Sequence, residues 1–179
     1  MIIIADKISL YPAELYVKGM EIITVPTTKN SVNTIDPELK SLNYLNNILA
    51  KIEAVNNGYV EAIMLDNQGF VAECTGDNIF TIKNGALSTP KFGRLKGITR
   101  QAILDLAKKF KLTVEEGHMS RHQVYNSAEC FLTGTAAELI PVVKVDGRVI
   151  GTGKPGPVTL KLLKAFRDLT KKDGVRYAV

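Results

Sequence analysis

The sequence predicts an α+β fold, and three observations carry that reading. Strand-like segments between 61 and 88, and again after 113, are separated by short turn signals such as Asn84-Gly85 and Asp146-Gly147, which join antiparallel neighbours. Helical periodicity lies between these groups of strands rather than after each strand, which argues against a doubly wound parallel sheet. The 179 residues, 45% of them hydrophobic, fit one domain over 1–179, with no repeat, low-complexity tract or linker to divide it.

In chain order, a short strand is expected from Ile2 to Ala5, then a helix from Pro12 to Lys18 stopped by Gly19, then a strand from Ile22 to Pro26. Thr27 to Glu38 is polar, with Asn30, Asn33, Asp36 and Pro37, and reads as a loop. Leu42, Leu45, Ile48, Leu49 and Ile52 recur at helical spacing and predict a helix from Leu42 to Val55 with that stripe as its apolar face. Four strands follow at Ala62–Leu65, Phe70–Glu73, Ile79–Lys83 and Ala86–Ser88, with turns at Asn67 to Gly69 and Asn84-Gly85. Gly97 to Phe110 is an amphipathic helix carrying Ile98, Ile103, Leu104, Leu106 and Ala107. Strands at Thr113–Glu116, Glu129–Thr133 and Pro141–Val145, a hairpin at Asp146-Gly147 and a final helix close the chain.

The charge of +5 invites a nucleic-acid reading, so its location matters. Lys161, Lys164, Arg167, Lys171 and Lys172 share the last helix with Leu160, Leu162, Leu163, Phe166 and Leu169, and form the solvated side of an amphipathic element. No aromatic residues interleave with them as a stacking platform, so no nucleic-acid partner is expected. No apolar run approaches the ~20 residues of a membrane span, so no membrane association is expected either. Two cysteines, Cys74 and Cys130, are too few for a secreted disulfide framework, and a reducing cytoplasm is the expected setting.

Some motifs carry little. Gly151-Thr152-Gly153-Lys154-Pro155-Gly156 fits the dinucleotide pattern G-x-G-x-x-G, but Pro155 and Pro157 lack the N–H groups that motif uses. His118 and His122 are four apart, yet no glutamate follows His118, and no metal site is expected. Cys74 and Cys130 fall in strands without a C-x-x-C partner and read as buried, unreactive thiols.

Lys40 differs, because it stands where a loop meets an apolar helix, a place that desolvates an ammonium and favours attack on an aldehyde. Three further segments match the needs of a phosphorylated pyridine aldehyde. Gly97-Ile98-Thr99-Arg100 opens a helix whose free N–H groups and dipole suit a phosphate dianion. Thr133-Gly134-Thr135-Ala136-Ala137 ends a strand with small residues that let backbone N–H groups approach an anion. Glu73 is a carboxylate able to keep a pyridine nitrogen protonated. Each also has a plain structural role open to it: a helix cap for Thr99, a turn for Gly134, a solvent-facing strand position for Glu73.

These residues carry a resemblance. Lys40-Ser41-Leu42-Asn43-Tyr44-Leu45-Asn46-Asn47, Val71-Ala72-Glu73-Cys74-Thr75-Gly76-Asp77-Asn78-Ile79-Phe80, Gly97-Ile98-Thr99-Arg100 and Phe131-Leu132-Thr133-Gly134-Thr135-Ala136-Ala137-Glu138 resemble, in order and spacing, the branched-chain aminotransferases among the fold-type IV pyridoxal-phosphate enzymes. The resemblance implies a hairpin-rich, barrel-like sheet with flanking helices and pyridoxal 5'-phosphate as cofactor. It also implies transamination of leucine, isoleucine or valine with 2-oxoglutarate. Lys40 matches the lysine that binds the cofactor and moves the substrate proton, Tyr44 the tyrosine on its phenolic oxygen, and Glu73 the acid at the ring nitrogen. Leu95 matches the apolar residue on a ring face, and Ile98, Thr99 and Thr135 match the phosphate contacts. Thr135 and Ala136 match the amides that receive the substrate carboxylate. Amino-acid and 2-oxo-acid substrates and a homodimer or higher homo-oligomer are implied as partners.

The resemblance also implies that the chain corresponds to the family's larger domain, with a smaller N-terminal domain missing ahead of it. The loop Thr89–Lys96 is shorter than in relatives, and Thr28-Lys29 stands where a basic pair is expected. Two other functions stay open: a non-catalytic remnant that assembles with a partner, and an aminodeoxychorismate lyase or D-amino-acid aminotransferase.

Overall fold

A computed structural model describes residues 10–172 and 174; the strand expected at Ile2 to Ala5 lies outside the described residues. The chain enters through α1 (Ala13–Lys18), preceded by Pro12 and ended by Gly19 at φ +83°, where a side chain would also run into Val143. It continues into β1 (Met20–Thr24), two residues earlier than the sequence suggests. A long loop then leads to α2 (Leu45–Asn56).

The expected helical residues Leu42 to Tyr44 are not helical. Leu42 has φ +65° and the Tyr44 N–H donates to Leu42 O, so a tight turn precedes the helix. The apolar stripe is not the face that α2 buries. Ala50, Ala54 and Asn47 turn inward, while Leu45, Ile48, Leu49 and Ile52 are exposed, Leu45 at 69%. The small alanines allow the helix to lie close against Ala62 and Met64 of β2, leaving the large apolar residues outside.

The strands β2 (Ala62–Leu65), β3 (Val71–Cys74), β4 (Asn78–Lys83), β5 (Ala86–Pro90), β6 (Thr113–Gly117), β7 (Glu129–Gly134), β8 (Glu138–Val145) and β9 (Arg148–Val149) join β1 in one sheet. Its order is β3-β2-β1-β8-β7-β4-β5-β6, with β9 on β8. The β1–β2, β1–β8 and β5–β6 pairs are parallel and the others antiparallel. Asn84-Gly85 and Asp146-Gly147 all have positive φ, the backbone that a two-residue hairpin turn requires.

The helices α3 (Ile98–Lys109) and α5 (Pro157–Thr170) cover one face of the sheet. Their Ile103, Leu104, Leu162, Leu163 and Phe166 pack on Phe80 and Phe131, whose rings stack 5.0 Å apart. Ile98 and Leu160, placed on apolar faces by periodicity, are exposed. A short helix absent from the sequence reading, α4 (Arg121–Tyr125), is started by a capping box between Ser120 and Gln123.

Candidate active site

The long loop between β1 and α2 is pinned along its first half. Thr28 O accepts from Asn46, Thr27 Oγ1 donates to Glu53, and the Lys29 N–H donates to Leu65 O at the end of β2. Its second half carries Lys40, whose Nζ donates to Tyr44 Oη at 3.2 Å and lies 4.9 Å from the centre of that ring. The expected desolvation of Lys40 is not seen: the side chain is exposed, because the apolar residues beside it, Leu39 and Leu42, point to solvent too.

A cavity of about 320 Å³ opens between this loop, α2, β3 and the segment ahead of α3. Lys40, Tyr44, Glu73 and Leu95, separated by up to 55 residues of chain, all line it. Its size falls within the range of small-molecule sites. Leu10, Ile48 and Leu95 supply the apolar part of its wall.

Glu73 is buried, which removes its solvent-facing alternative. Its Oε1 accepts from Lys29 Nζ at 2.6 Å, and its Oε2 accepts from Asn78 Nδ2 and the Leu95 N–H, each at 3.0 Å. A carboxylate offers about four lone-pair positions, so three donors fix its orientation and leave capacity for one ligand donor. Burial pushes the Glu73 carboxyl up, and Lys29 is the largest of the groups pulling it back down.

Asn78 donates from the same amide to Leu95 O, and a Cβ on Gly97 would overlap Asn78 Oδ1. This one side chain therefore connects the buried acid to the start of α3. Gly97 is the N-cap of α3 and no side chain caps the helix, so its first N–H groups remain available to an anion. Thr99 is buried at this end, while Ile98 lies along a neighbouring groove with Lys96 and Arg100 rather than in the cavity.

Thr135 and Ala136 form the exposed tip of the β7–β8 hairpin and do not line the cavity. Their connection to it is Gly134, where a Cβ would overlap Asp77 Oδ1, and Asp77 is on the cavity wall. The far wall holds a polar cluster. Tyr11 Oη lies 2.7 Å from Asp77 Oδ2 and 3.1 Å from Glu61 Oε2, and Lys51 pairs with Glu61 at 3.3 Å. Burial and the nearby Glu61 push the Asp77 carboxyl up to about 6, against the pull of the Tyr11 hydroxyl.

The sequence reading gives Asn78, Tyr11 and Asp77 no role at the site, and it notes Lys29 only as part of the pair that stands where a basic pair is expected. Asn78 and Asp77 sit within the stretch that carries the resemblance, so adjacency to Glu73 was the available signal. A lysine in a polar loop gives no sign that it is buried.

The sites set aside stay outside this geometry. The α5 N-terminus that ends the Gly151–Gly156 segment is filled by the Glu129 carboxylate, which accepts from the Val158 and Thr159 N–H groups and from Thr159 Oγ1. Among the described residues no group of three or more His, Cys, Asp and Glu side chains is placed to hold a metal ion. Cys74 and Cys130 are buried free thiols, and burial pushes both upward, away from reactivity. No described helix is long and apolar enough to cross a membrane.

A curled mixed sheet with flanking helices is the fold of the fold-type IV aminotransferases, and here it gathers a loop lysine, a tyrosine and a buried carboxylate around one cavity. The chain belongs to the class IV aminotransferases: the family model described as "Amino-transferase class IV" matches residues 1–145. It is 47% identical over 160 residues to a putative branched-chain-amino-acid aminotransferase of Methanocaldococcus jannaschii, covering 88% of this chain and 56% of that relative. The crystal structure of the Escherichia coli branched-chain amino acid aminotransferase is 40% identical, with a TM-score of 0.86 over 88% of this chain and 53% of that one. The branched-chain amino acid aminotransferase from Thermobaculum terrenum, in its PLP-bound holo-form, is 36% identical, with a TM-score of 0.83 over 86% of this chain and 51% of that one. The chain spans about half the length of the curated relatives it matches. These matches bear out the resemblance carried by the four motifs.

Proposed function

We propose that this chain carries the cofactor-binding part of a pyridoxal 5'-phosphate-dependent aminotransferase that acts on leucine, isoleucine or valine, with 2-oxoglutarate as amino acceptor. The observation that supports it most is the meeting of Lys40, Tyr44, Glu73 and Leu95 around one cavity. Bound there, the cofactor supplies an aldehyde carbon and an electron-withdrawing ring. Lys40 Nζ is the amine that would hold that aldehyde, and as a free amine it would move the proton at the substrate Cα. Tyr44, already hydrogen-bonded to Lys40, orients it.

Glu73 would supply negative charge to a ring nitrogen, and Leu95, whose N–H binds Glu73, would offer an apolar surface to the ring. The Ile98 and Thr99 N–H groups at the uncapped start of α3 would take the phosphate. Thr135 and Ala136, at the hairpin tip off the cavity wall, are assigned to the phosphate and the substrate carboxylate by the resemblance alone. Leu10 and Ile48 offer apolar wall to a branched side chain, whose burial is worth about 1.5–3 kcal/mol.

The proposed partners are amino acids, 2-oxo acids and a second copy of the chain, and the proposed compartment is the cytoplasm. The exposed stripe Leu45, Leu49, Ile52 and Val55 on α2, beside the cavity, favours a homo-oligomer in which this face is covered. The test is turnover: with pyridoxal phosphate and 2-oxoglutarate, the protein should convert L-leucine to its 2-oxo acid. Equal turnover by Lys40→Ala would overturn the assignment.

A further inference from the structure

The charge behind Glu73 is the feature of this site that the function above leaves unused. Lys29 is 7% exposed and lies off the cavity wall, so it touches no ligand in that cavity. Its Nζ nevertheless makes the shortest contact to Glu73, at 2.6 Å. A lysine buried to this degree is costly unless it is paired, and Glu73 is its ion-pair partner. Its backbone is fixed independently, by the N–H bond to Leu65 O. Lys29 also lies on the loop that carries Lys40, eleven residues upstream.

We propose that Lys29 is a positioning residue: its ammonium keeps the Glu73 carboxylate charged and aimed at the cavity, and ties the loop bearing Lys40 to β3. Two forces act on Glu73. Burial favours its neutral form, and Asp77, on the turn after β3, opposes its charge as well. Lys29 favours the charged form, with Arg94 from the segment after β5 assisting from a greater distance; Lys40 faces the same cavity from the loop. Removing Lys29 takes away the strongest opposition to burial and leaves only the neutral Asn78 amide and Leu95 N–H donors at short range, and a neutral Glu73 cannot hold a proton on a pyridine nitrogen by charge.

The cofactor part of this inference rests on the function proposed above, whereas the charge state of Glu73 in the cofactor-free protein does not, so the two can fail separately. The test follows the Glu73 side-chain carbon by NMR across pH in the cofactor-free chain, with Glu73→Gln assigning the signal. Lys29→Met should raise its titration midpoint by about one pH unit or more, and Lys29→Arg should leave it within about half a unit. Pyridoxal phosphate should bind Lys29→Met about tenfold more weakly at pH 7, with the deficit shrinking as pH rises and Glu73 ionises.

A purely structural lysine would weaken binding equally at every pH. An unmoved midpoint in folded Lys29→Met overturns the proposal. Should Lys29→Met not fold, Lys29→Arg decides: a midpoint displaced by more than about one unit with the positive charge retained overturns it equally.

Discussion

Replacing Asp77 with asparagine should stabilise the protein, and only above a definite pH. Asp77 is buried, its Oδ2 accepts from Tyr11 Oη at 2.7 Å, and its Oδ1 has no hydrogen-bond partner. The same hydroxyl is also 3.1 Å from Glu61, and one phenolic hydrogen cannot fully serve two carboxylates. The folded protein therefore binds a proton at Asp77 more tightly than the unfolded chain: about 6 when folded, against ~3.9 for an unperturbed aspartate.

A group raised in the folded state adds stability below its unfolded value and loses it as pH climbs through the folded one. Roughly two units correspond to about 2–3 kcal/mol withdrawn above pH 6. Asparagine has nearly the same shape, keeps an acceptor for Tyr11 and never ionises. Urea unfolding from pH 4 to pH 8 should show Asp77→Asn more stable than the parent by about 2–3 kcal/mol at pH 8, with no gain at pH 4. A gain independent of pH, or a loss at pH 8, would refute the claim that Asp77 is held up by burial beside Glu61.

Two further outcomes follow from the same structure. Glu129→Ala strips three acceptor contacts from the start of α5 and should cost about 3 kcal/mol, read as a lowered Tm; a change under about 0.5 kcal/mol would mean that the carboxylate is not capping the helix. Leu45→Lys with Ile52→Lys falls on the exposed face of α2, so unfolding free energy per chain should change by less than about 1 kcal/mol, while light scattering should show loss of the homo-oligomer proposed above. A loss of 2–5 kcal/mol, the usual penalty for a core site, would contradict the burial pattern.

Turn chemistry was the most legible part of the fold. Asn84-Gly85 and Asp146-Gly147 specify backbone that few other residue pairs adopt, so they place the β4–β5 and β8–β9 hairpins directly. Periodicity located α2 but not the face it buries, because apolar spacing reports a shared side and not what covers it. Here the close approach of Ala50 and Ala54 to β2 decided the matter. Gly134 reads as a permissive small residue and Gly97 as the opening of a helix, whereas contacts with Asp77 and Asn78 are what exclude a side chain there.

Lys40, Tyr44 and Glu73 were legible together only because ordered motifs carried them, with Leu95 assigned by the same resemblance just ahead of the third motif, since no local rule brings residues 40 and 73 to one cavity. Lys29 could not be found that way: its importance depends on a carboxylate 44 positions later that the fold places 2.6 Å from its ammonium.

The central claim is that the amine of Lys40, facing a cavity floored by Glu73, is the one that meets an aldehyde. The direct measurement is to incubate the protein with pyridoxal phosphate, fix the adduct with borohydride, and locate the modified lysine by peptide mass spectrometry. The account predicts one phosphopyridoxyl group, on Lys40, lost in Lys40→Ala and not transferred to Lys51, the other lysine lining the cavity. Label spread over the surface lysines, or concentrated on any lysine other than Lys40, would contradict it.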